Sequence, residues 1–208
     1  EGEAVAIAAG AWLAGRKTVV MMQNSGLGNA VNPLASLNYP FLIPTLLIVT
    51  WRGEAGLKDE PQHALMGEAT APLLDVLRIA HHLFPQAPEE IAPRLDAAVE
   101  DMRKRALPAA LIMRHGSVRA EMLNEPAPPL RPAGRRVDAI NGGAAPTRAA
   151  ALRRLLDLAP ERAALIATTG KTGRELFTLA DRPQHLYVVG SMGCASALGL
   201  GVALNSPR

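Results

Sequence analysis

Apolar residues recur along the chain with two different periods. Ala4, Val5, Ile7, Ala8, Trp12 and Leu13 follow a helical spacing that Gly15 interrupts, so residues 3–15 read as a helix. Thr18-Val19-Val20-Met21-Met22 is a short continuous apolar run, the pattern of a strand buried on both faces. Residues 23–29 read as a polar, glycine-containing loop, with Pro33 near the start of the next helix. Residues 45–50 form a second apolar run, the clearest strand of the chain. A polar stretch over 51–68 then leads to a helix over 71–80, and another is expected over 89–106, where Glu89 and Glu90 suit a helix N-terminus. Residues 109–113 read as a strand. Proline and glycine crowd between 125 and 146, the composition of a linker. The alternation then restarts with a helix from Thr147, a strand over 164–167, a glycine-rich turn, a helix near 174–180, a strand over 186–189 and a Gly/Ala-rich helix after Gly193.

Helices alternating with continuous apolar strands predict an α/β protein. The expected architecture is two doubly wound parallel-sheet halves, the second truncated. Hydrophobic residues make up 49% of the 208 positions, enough to bury a core, but aromatics are only 3%, so that core must be aliphatic. The single cysteine excludes a disulfide framework and fits a reducing, cytoplasmic compartment. A net charge of +3 spread over short clusters makes no nucleic-acid footprint, and it suits a small anionic substrate. No run reaches the ~18 apolar residues of a membrane span, so neither nucleic acid nor membrane is an expected partner. The first residue is not methionine and the last residues follow an apolar helical stretch, which reads as an excerpt of a longer protein.

In parallel sheets ligands gather at the carboxyl ends of strands. The loops there are Gln23-Asn24-Ser25-Gly26-Leu27-Gly28-Asn29, then Trp51-Arg52-Gly53 running on to Asp59-Glu60-Pro61-Gln62-His63, then Thr168-Thr169-Gly170-Lys171-Thr172-Gly173, and Gly190-Ser191-Met192-Gly193. The last two have the form of phosphate cradles, small residues ahead of a helix N-terminus, yet neither matches a P-loop, and taken alone their glycines are explained better by plain turn-making. His63 sits in a polar loop, either as a proton-transfer group or as a surface histidine. His81 and His82 read as structural residues at a helix end, and His115 and His185 as turn residues. Cys194 reads as small-residue packing, and no metal cage is expected within these residues.

These motifs carry a resemblance. Glu1, followed by an alanine-rich helix with Gly10 nine positions on, resembles the helix that bears the catalytic glutamate of thiamine-diphosphate enzymes. Residues 24–29, Arg52-Gly53, residues 59–63, Met66-Gly67, residues 169–175 and residues 190–193 are similar, in that order, to the phosphonopyruvate and sulfopyruvate decarboxylases. The resemblance implies a thiamine-diphosphate-binding fold. Its pyrimidine-binding domain would cover 1–118, lacking its N-terminal part, followed by a linker over 119–146. The start of a diphosphate-binding domain would cover 147–208, ending before the magnesium motif.

The activity implied is thiamine-diphosphate-dependent decarboxylation of 3-phosphonopyruvate to phosphonoacetaldehyde and CO2, in phosphonate biosynthesis. The phosphonopyruvate enzymes look closer because one chain carries both halves. Glu1 would hydrogen-bond the cofactor's pyrimidine nitrogen, with Gln62 and His63 handling protons. Asn24, Ser25, Gly26, Thr169, Gly170, Gly190, Ser191 and Met192 would bind the cofactor, Gly190 through its carbonyl and Met192 as an apolar prop. Arg52, Lys58 and Lys171 are the candidates for the substrate anion, against a plain solvated-surface role. Mg2+ is implied too, its Asp and Asn ligands falling outside this chain. Active sites of the family lie between subunits, so a dimer or tetramer is expected, and the 208-residue chain by itself would be inactive. Two other readings stand beside this one: the sulfopyruvate analogue, and a non-catalytic phosphate- or nucleotide-binding α/β module.

Overall fold

A computed structural model describes residues 1–122, 124–126, 134 and 143–206. Much of the expected linker, residues 123, 127–133 and 135–142, lies outside the described residues, as do 207 and 208.

The first half runs α1 (Gly2–Leu13), β1 (Val19–Gln23), α2 (Asn24–Pro33), a π-helical turn (Leu34–Asn38), α3 (Tyr39–Phe41) and β2 (Leu46–Thr50). It continues through a 3-10 turn (Pro61–His63), α4 (Ala64–Val76), β3 (Ala80–Leu83), α5 (Pro88–Arg105) and β4 (Ala109–Met113). Its four strands are all parallel, in the order β1-β2-β4-β3. The second half contributes α6 (Arg148–Leu158), β5 (Ile166–Ala167), α7 (Lys171–Leu179), β6 (Leu186–Tyr187) and α8 (Ala195–Asn205), with β5 and β6 paired in parallel. This is the expected α/β class with parallel sheets.

Strand alternation divides the first sheet into two apolar faces. Val20, Met22, Leu47, Val49, Ala110 and Ile112 pack under Val5 and Ala8 of α1, Leu27 and Ala30 of α2, and Leu74 of α4. Leu46, Ala109 and Leu111 face the other way, onto Ala98 and Met102 of α5. Helix α5 has clear local causes: Pro88 at its first turn, the Glu90 carboxylate accepting from the Gln86 amide at 2.9 Å, and Arg103, Lys104 and Arg105 at its negative end. Helix α1 is apolar on every side because it is buried twice. One side meets the first sheet, and the other meets α8, where Ala6, Ala9, Ala197 and Leu198 share a cluster with Val188.

Several sequence expectations are corrected. β1 is not buried on both faces: Val19 is 54% and Met21 69% exposed, because β1 is an edge strand beyond the reach of α5. Residues 24–29 are the opening turns of α2 rather than a loop. Tertiary ties to Asn24 and close packing at Gly26 outweigh the poor helix propensity of Asn, Ser and Gly. Pro33 closes α2 instead of opening a helix. Helix α4 begins at Ala64, and residues 80–83 form β3, so His81 and His82 are strand residues. Alternation sends them to opposite faces: the His81 ring meets Asp75 at 3.1 Å, and the His82 ring meets Asp101 of α5 at 2.7 Å. Helix α7 starts at Lys171, earlier than the pattern suggests.

Candidate active site

Glu1 lies immediately before α1, and its side chain rests on α2. The fit there is close: a methyl on Gly26 would come within 2.5 Å of the Glu1 Cγ and 2.6 Å of its Oε1. Glu1 Oε2 accepts a hydrogen bond from Asn29 Nδ2 at 3.2 Å. Two residues from one helix therefore set where this carboxylate stands. Gly26 supplies the space and Asn29 the donor. Asn29 falls within the sequence motif, but its side chain shows its part only once α2 is known to be a helix that carries it round to Glu1. Ser25 is exposed and donates to Gln23 Oε1 at 2.6 Å.

Asn24 is fully buried and its polar atoms are committed to the chain. Its Nδ2 donates to the Arg52 carbonyl at 2.8 Å, the Met66 carbonyl at 3.3 Å and Thr70 Oγ1 at 3.0 Å, while its Oδ1 accepts from the Arg52 amide at 3.3 Å. It joins α2, the end of β2 and α4, and so acts as a structural tie. Arg52 is likewise engaged. Its Nε donates to Asp59 Oδ2 at 2.9 Å, and Asp59 also accepts from the Gly53 amide at 2.7 Å and the Glu60 amide at 2.8 Å. The Arg52 guanidinium, followed by the Gly53 amide, holds the Asp59 carboxyl well below the usual carboxylate range. The loop over 52–60 is thus clamped from within. His63 ends the 3-10 turn, half-buried. Its amide donates to the Glu60 carbonyl at 2.9 Å, and its own carbonyl lies where a side chain on Gly53 would sit. Gln62 beside it is exposed.

In the second half, Thr169 and Gly170 border a cleft of about 600 Å³ that Thr168, Gly173 and Arg174 also line, at the N-terminal end of α7. Gly170 has φ +95°, a turn that a residue with a Cβ rarely adopts. Lys171 is exposed on the first turn of α7. The loop over 190–193 approaches the π-helical turn after α2 so closely that a methyl on Gly190 would stand 2.6 Å from the Ser36 carbonyl oxygen. Ser191 is buried against Ser36, whereas Met192 is 76% exposed. Burial pushes the Cys194 thiol up, which suits the packing role expected of it.

Glu1 is held by Asn29 of α2, and Asn29 shares a cleft with Met192. Gly2, Glu3, Asn29, Asn32 and Pro33 line one side of a cleft of about 420 Å³, and Met192, Gly193 and Cys194 line the other. The three cationic candidates do not converge. Arg52 and Lys58 border a separate cleft of about 520 Å³ at the ends of β2 and β4, together with Arg114, which is paired to the buried Glu54. Lys171 belongs to the other half. Among the described residues no group of three or more His, Cys, Asp or Glu is placed to hold a metal ion. None of the described helices is long and apolar enough to cross a membrane.

No family model matches the chain. Individual relatives do. It is 50% identical over 211 residues to a phosphonopyruvate decarboxylase of Streptomyces hygroscopicus, an alignment covering all of this chain and 52% of that protein. A phosphonopyruvate decarboxylase of Streptomyces viridochromogenes is 49% identical over 211 residues, covering all of this chain and 53% of its own. The chain belongs to the phosphonopyruvate and sulfopyruvate decarboxylase family. The sulfopyruvate branch matches as well: a sulfopyruvate decarboxylase subunit alpha of Methanocaldococcus jannaschii is 46% identical over 113 residues, 54% of this chain and 65% of that subunit. The chain spans about half the length of the phosphonopyruvate decarboxylases it matches.

Proposed function

We propose that this chain forms part of a thiamine-diphosphate-dependent decarboxylase converting 3-phosphonopyruvate to phosphonoacetaldehyde and CO2. The observation that carries the reading is that Asn29, which holds the Glu1 carboxylate, lines the same cleft as Met192. The residues present fit the cofactor on structural grounds. Glu1 keeps Oε1 clear of the Asn29 hydrogen bond, Met192 projects an apolar side chain beside the same cleft, and Gly170 opens a backbone cradle at a helix N-terminus. When bound, thiamine diphosphate supplies a carbon nucleophile and an electron sink for the pair left by departing CO2.

The chain's own residues would do the rest. Glu1 would hydrogen-bond the cofactor's pyrimidine ring nitrogen, Gly190 would offer a carbonyl acceptor, and Met192 would serve as an apolar prop. Ser25, Gly26 and Ser191 would help to hold the cofactor, while Thr169 and Gly170 would receive its diphosphate. Asn24 serves the site indirectly, by tying α2 to the end of β2. His63 and Gln62 are assigned to proton handling, and Lys58, Arg52 and Lys171 to the phosphonate field, with Arg52 acting through its Asp59 clamp. We assign residues 1–118 to the pyrimidine-binding part, 119–146 to a linker and 147–208 to the diphosphate-binding part. The working protein is a cytoplasmic homo-oligomer. Because no described cluster suits Mg2+, no step here relies on that ion.

The test measures CO2 release by the intact protein from phosphonopyruvate, sulfopyruvate and pyruvate, with and without thiamine diphosphate, beside Glu1→Gln. Cofactor-dependent turnover of phosphonopyruvate that Glu1→Gln abolishes supports the reading. A preference for sulfopyruvate would keep the chemistry and change the substrate. Failure to bind thiamine diphosphate would overturn the reading and favour a non-catalytic binding module.

A further inference from the structure

Ser191 stands out in the backbone. It has φ +47°, the left-handed conformation that a side chain disfavours, yet it is 97% buried in the middle of the loop that carries Gly190 and Met192. What holds it there is Ser36. The Ser191 amide donates to Ser36 Oγ at 2.7 Å, and the two hydroxyl oxygens are 2.8 Å apart. Ser36 Oγ in turn lies 2.7 Å from the Asn32 carbonyl and 2.9 Å from Asn32 Oδ1. A consistent assignment of protons follows: Ser36 donates to Asn32, and accepts from both the amide and the hydroxyl of Ser191.

Ser36 reaches this position through an irregularity in its helix. It lies in the π-helical turn Leu34–Asn38 that follows Pro33. A π-turn inserts an extra residue and rotates the side chains beyond it, and such turns gather at functional sites. The main chain is close as well, since a methyl on Gly190 would stand 2.7 Å from the Ser36 Cβ.

We propose that Ser36 is a positioning residue for the cofactor cleft, locking residues 190–192 in their left-handed turn so that the Gly190 carbonyl and the Met192 side chain keep their places. This rests on the decarboxylase reading above. Ser36 acts on the site through Ser191, and the expected consequence of losing it is a weaker, less well-formed cofactor site with the fold retained.

The experiment titrates thiamine diphosphate into the intact protein by calorimetry, and compares wild type with Ser36→Ala, Ser191→Gly and the double variant. Removing the hydroxyl should weaken cofactor binding by up to about tenfold, the ordinary effect of a lost, partly buried hydrogen bond. In the Ser191→Gly background the same removal should matter less, within about threefold, because glycine adopts the turn unaided. Ser36→Thr and Ser36→Val form a second pair, nearly equal in shape and differing in the hydroxyl. The threonine variant should keep the affinity and the valine variant lose it. This pair decides the question if Ser36→Ala does not fold. Equal affinity of wild type and Ser36→Ala, equal affinity of the Thr and Val variants, or an undiminished loss in the glycine background would each overturn the proposal. Absence of binding by wild type would instead overturn the decarboxylase reading on which it rests.

Discussion

Replacing Gly10 by alanine tests whether the crossing of α1 and α8 holds the two halves in register. A methyl on Gly10 would stand 2.1 Å from the Leu198 carbonyl oxygen and 2.9 Å from the Val202 amide nitrogen, and a methyl on Gly201 would stand 2.1 Å from the Ile7 carbonyl oxygen. These are main-chain atoms, so no change of rotamer relieves the clash, and the helices must separate by roughly 1.3 Å or more to restore ordinary contact. That places the cost at the upper end for overpacking, about 3 kcal/mol. Alanine returns about 1 kcal/mol of helix propensity. The remaining ~2 kcal/mol corresponds to a fall in Tm of roughly 4–8 °C for a chain of this size.

Scanning calorimetry checks the value, with Gly28→Ala as control. Gly28 is exposed in α2 and has nothing within 4 Å of where its methyl would lie, so that change should leave Tm level or raise it. Gly10→Ala and Gly201→Ala should each lower Tm, and together by less than the sum, since the first methyl opens the gap that the second occupies. A Gly10→Ala protein as stable as the Gly28→Ala control would refute the reasoning.

Three further outcomes are expected. Asn24→Ala should destabilise by about 3 kcal/mol in urea unfolding, because it strands the Arg52 amide and carbonyl without their buried partner. Asp59, held below its ordinary value of 3.8 by Arg52, contributes stability that is fully present above that pH and lost as pH falls through the lower folded-state value. The gap in Tm between wild type and Asp59→Asn should therefore stay constant at neutral pH and narrow only below about pH 4; a gap that narrows between pH 5 and 7 would contradict this. Gly26→Ala should displace the Glu1 carboxylate and cut cofactor-dependent CO2 release by tenfold or more. In a Glu1→Gln background the same change should have little further effect.

The central strands were readable because β2 and β4 are covered on both faces, which leaves them continuously apolar. β1 carries the same pattern but lies at the edge, and position in a sheet leaves no mark on a strand's own residues. β3 was hidden because its two histidines are satisfied by carboxylates from different helices, a pairing visible only in three dimensions. Glu1, Gly26 and Gly190 could be found as candidates from motif order. Their spatial relation could not, since it depends on α2 beginning at Asn24, and that helix is fixed by tertiary bonds rather than by propensity. Ser36 gave no signal at all, because the π-turn that rotates it toward Ser191 has no sequence signature.

The scarcity of convergent acids and bases follows from the same construction. A site that relied on side chains for its chemistry would bring titratable groups together. Here the cleft over α2 has carboxylate Glu3 at its rim, Glu1 seated close by on Gly26, and otherwise asparagine, proline, glycine, methionine, serine, alanine and a buried thiol. Such a lining is suited to holding a reactive group in a fixed pose, and the features most strongly determined are distances between backbones: α1 on α8, Gly190 on Ser36, Gly53 between His63 and Gly67. Small residues at those contacts let the elements approach; a hydrogen bond from Asn29 to Glu1 then fixes one wall, and one from the Ser191 amide to Ser36 the other. Because the π-turn that carries Ser36 continues directly from α2, a shift of α2 carries both walls together, whereas separation of α1 from α8 moves one against the other. Perturbations at the α1–α8 crossing should therefore affect cofactor affinity more than equally destabilising changes in the core beneath α5.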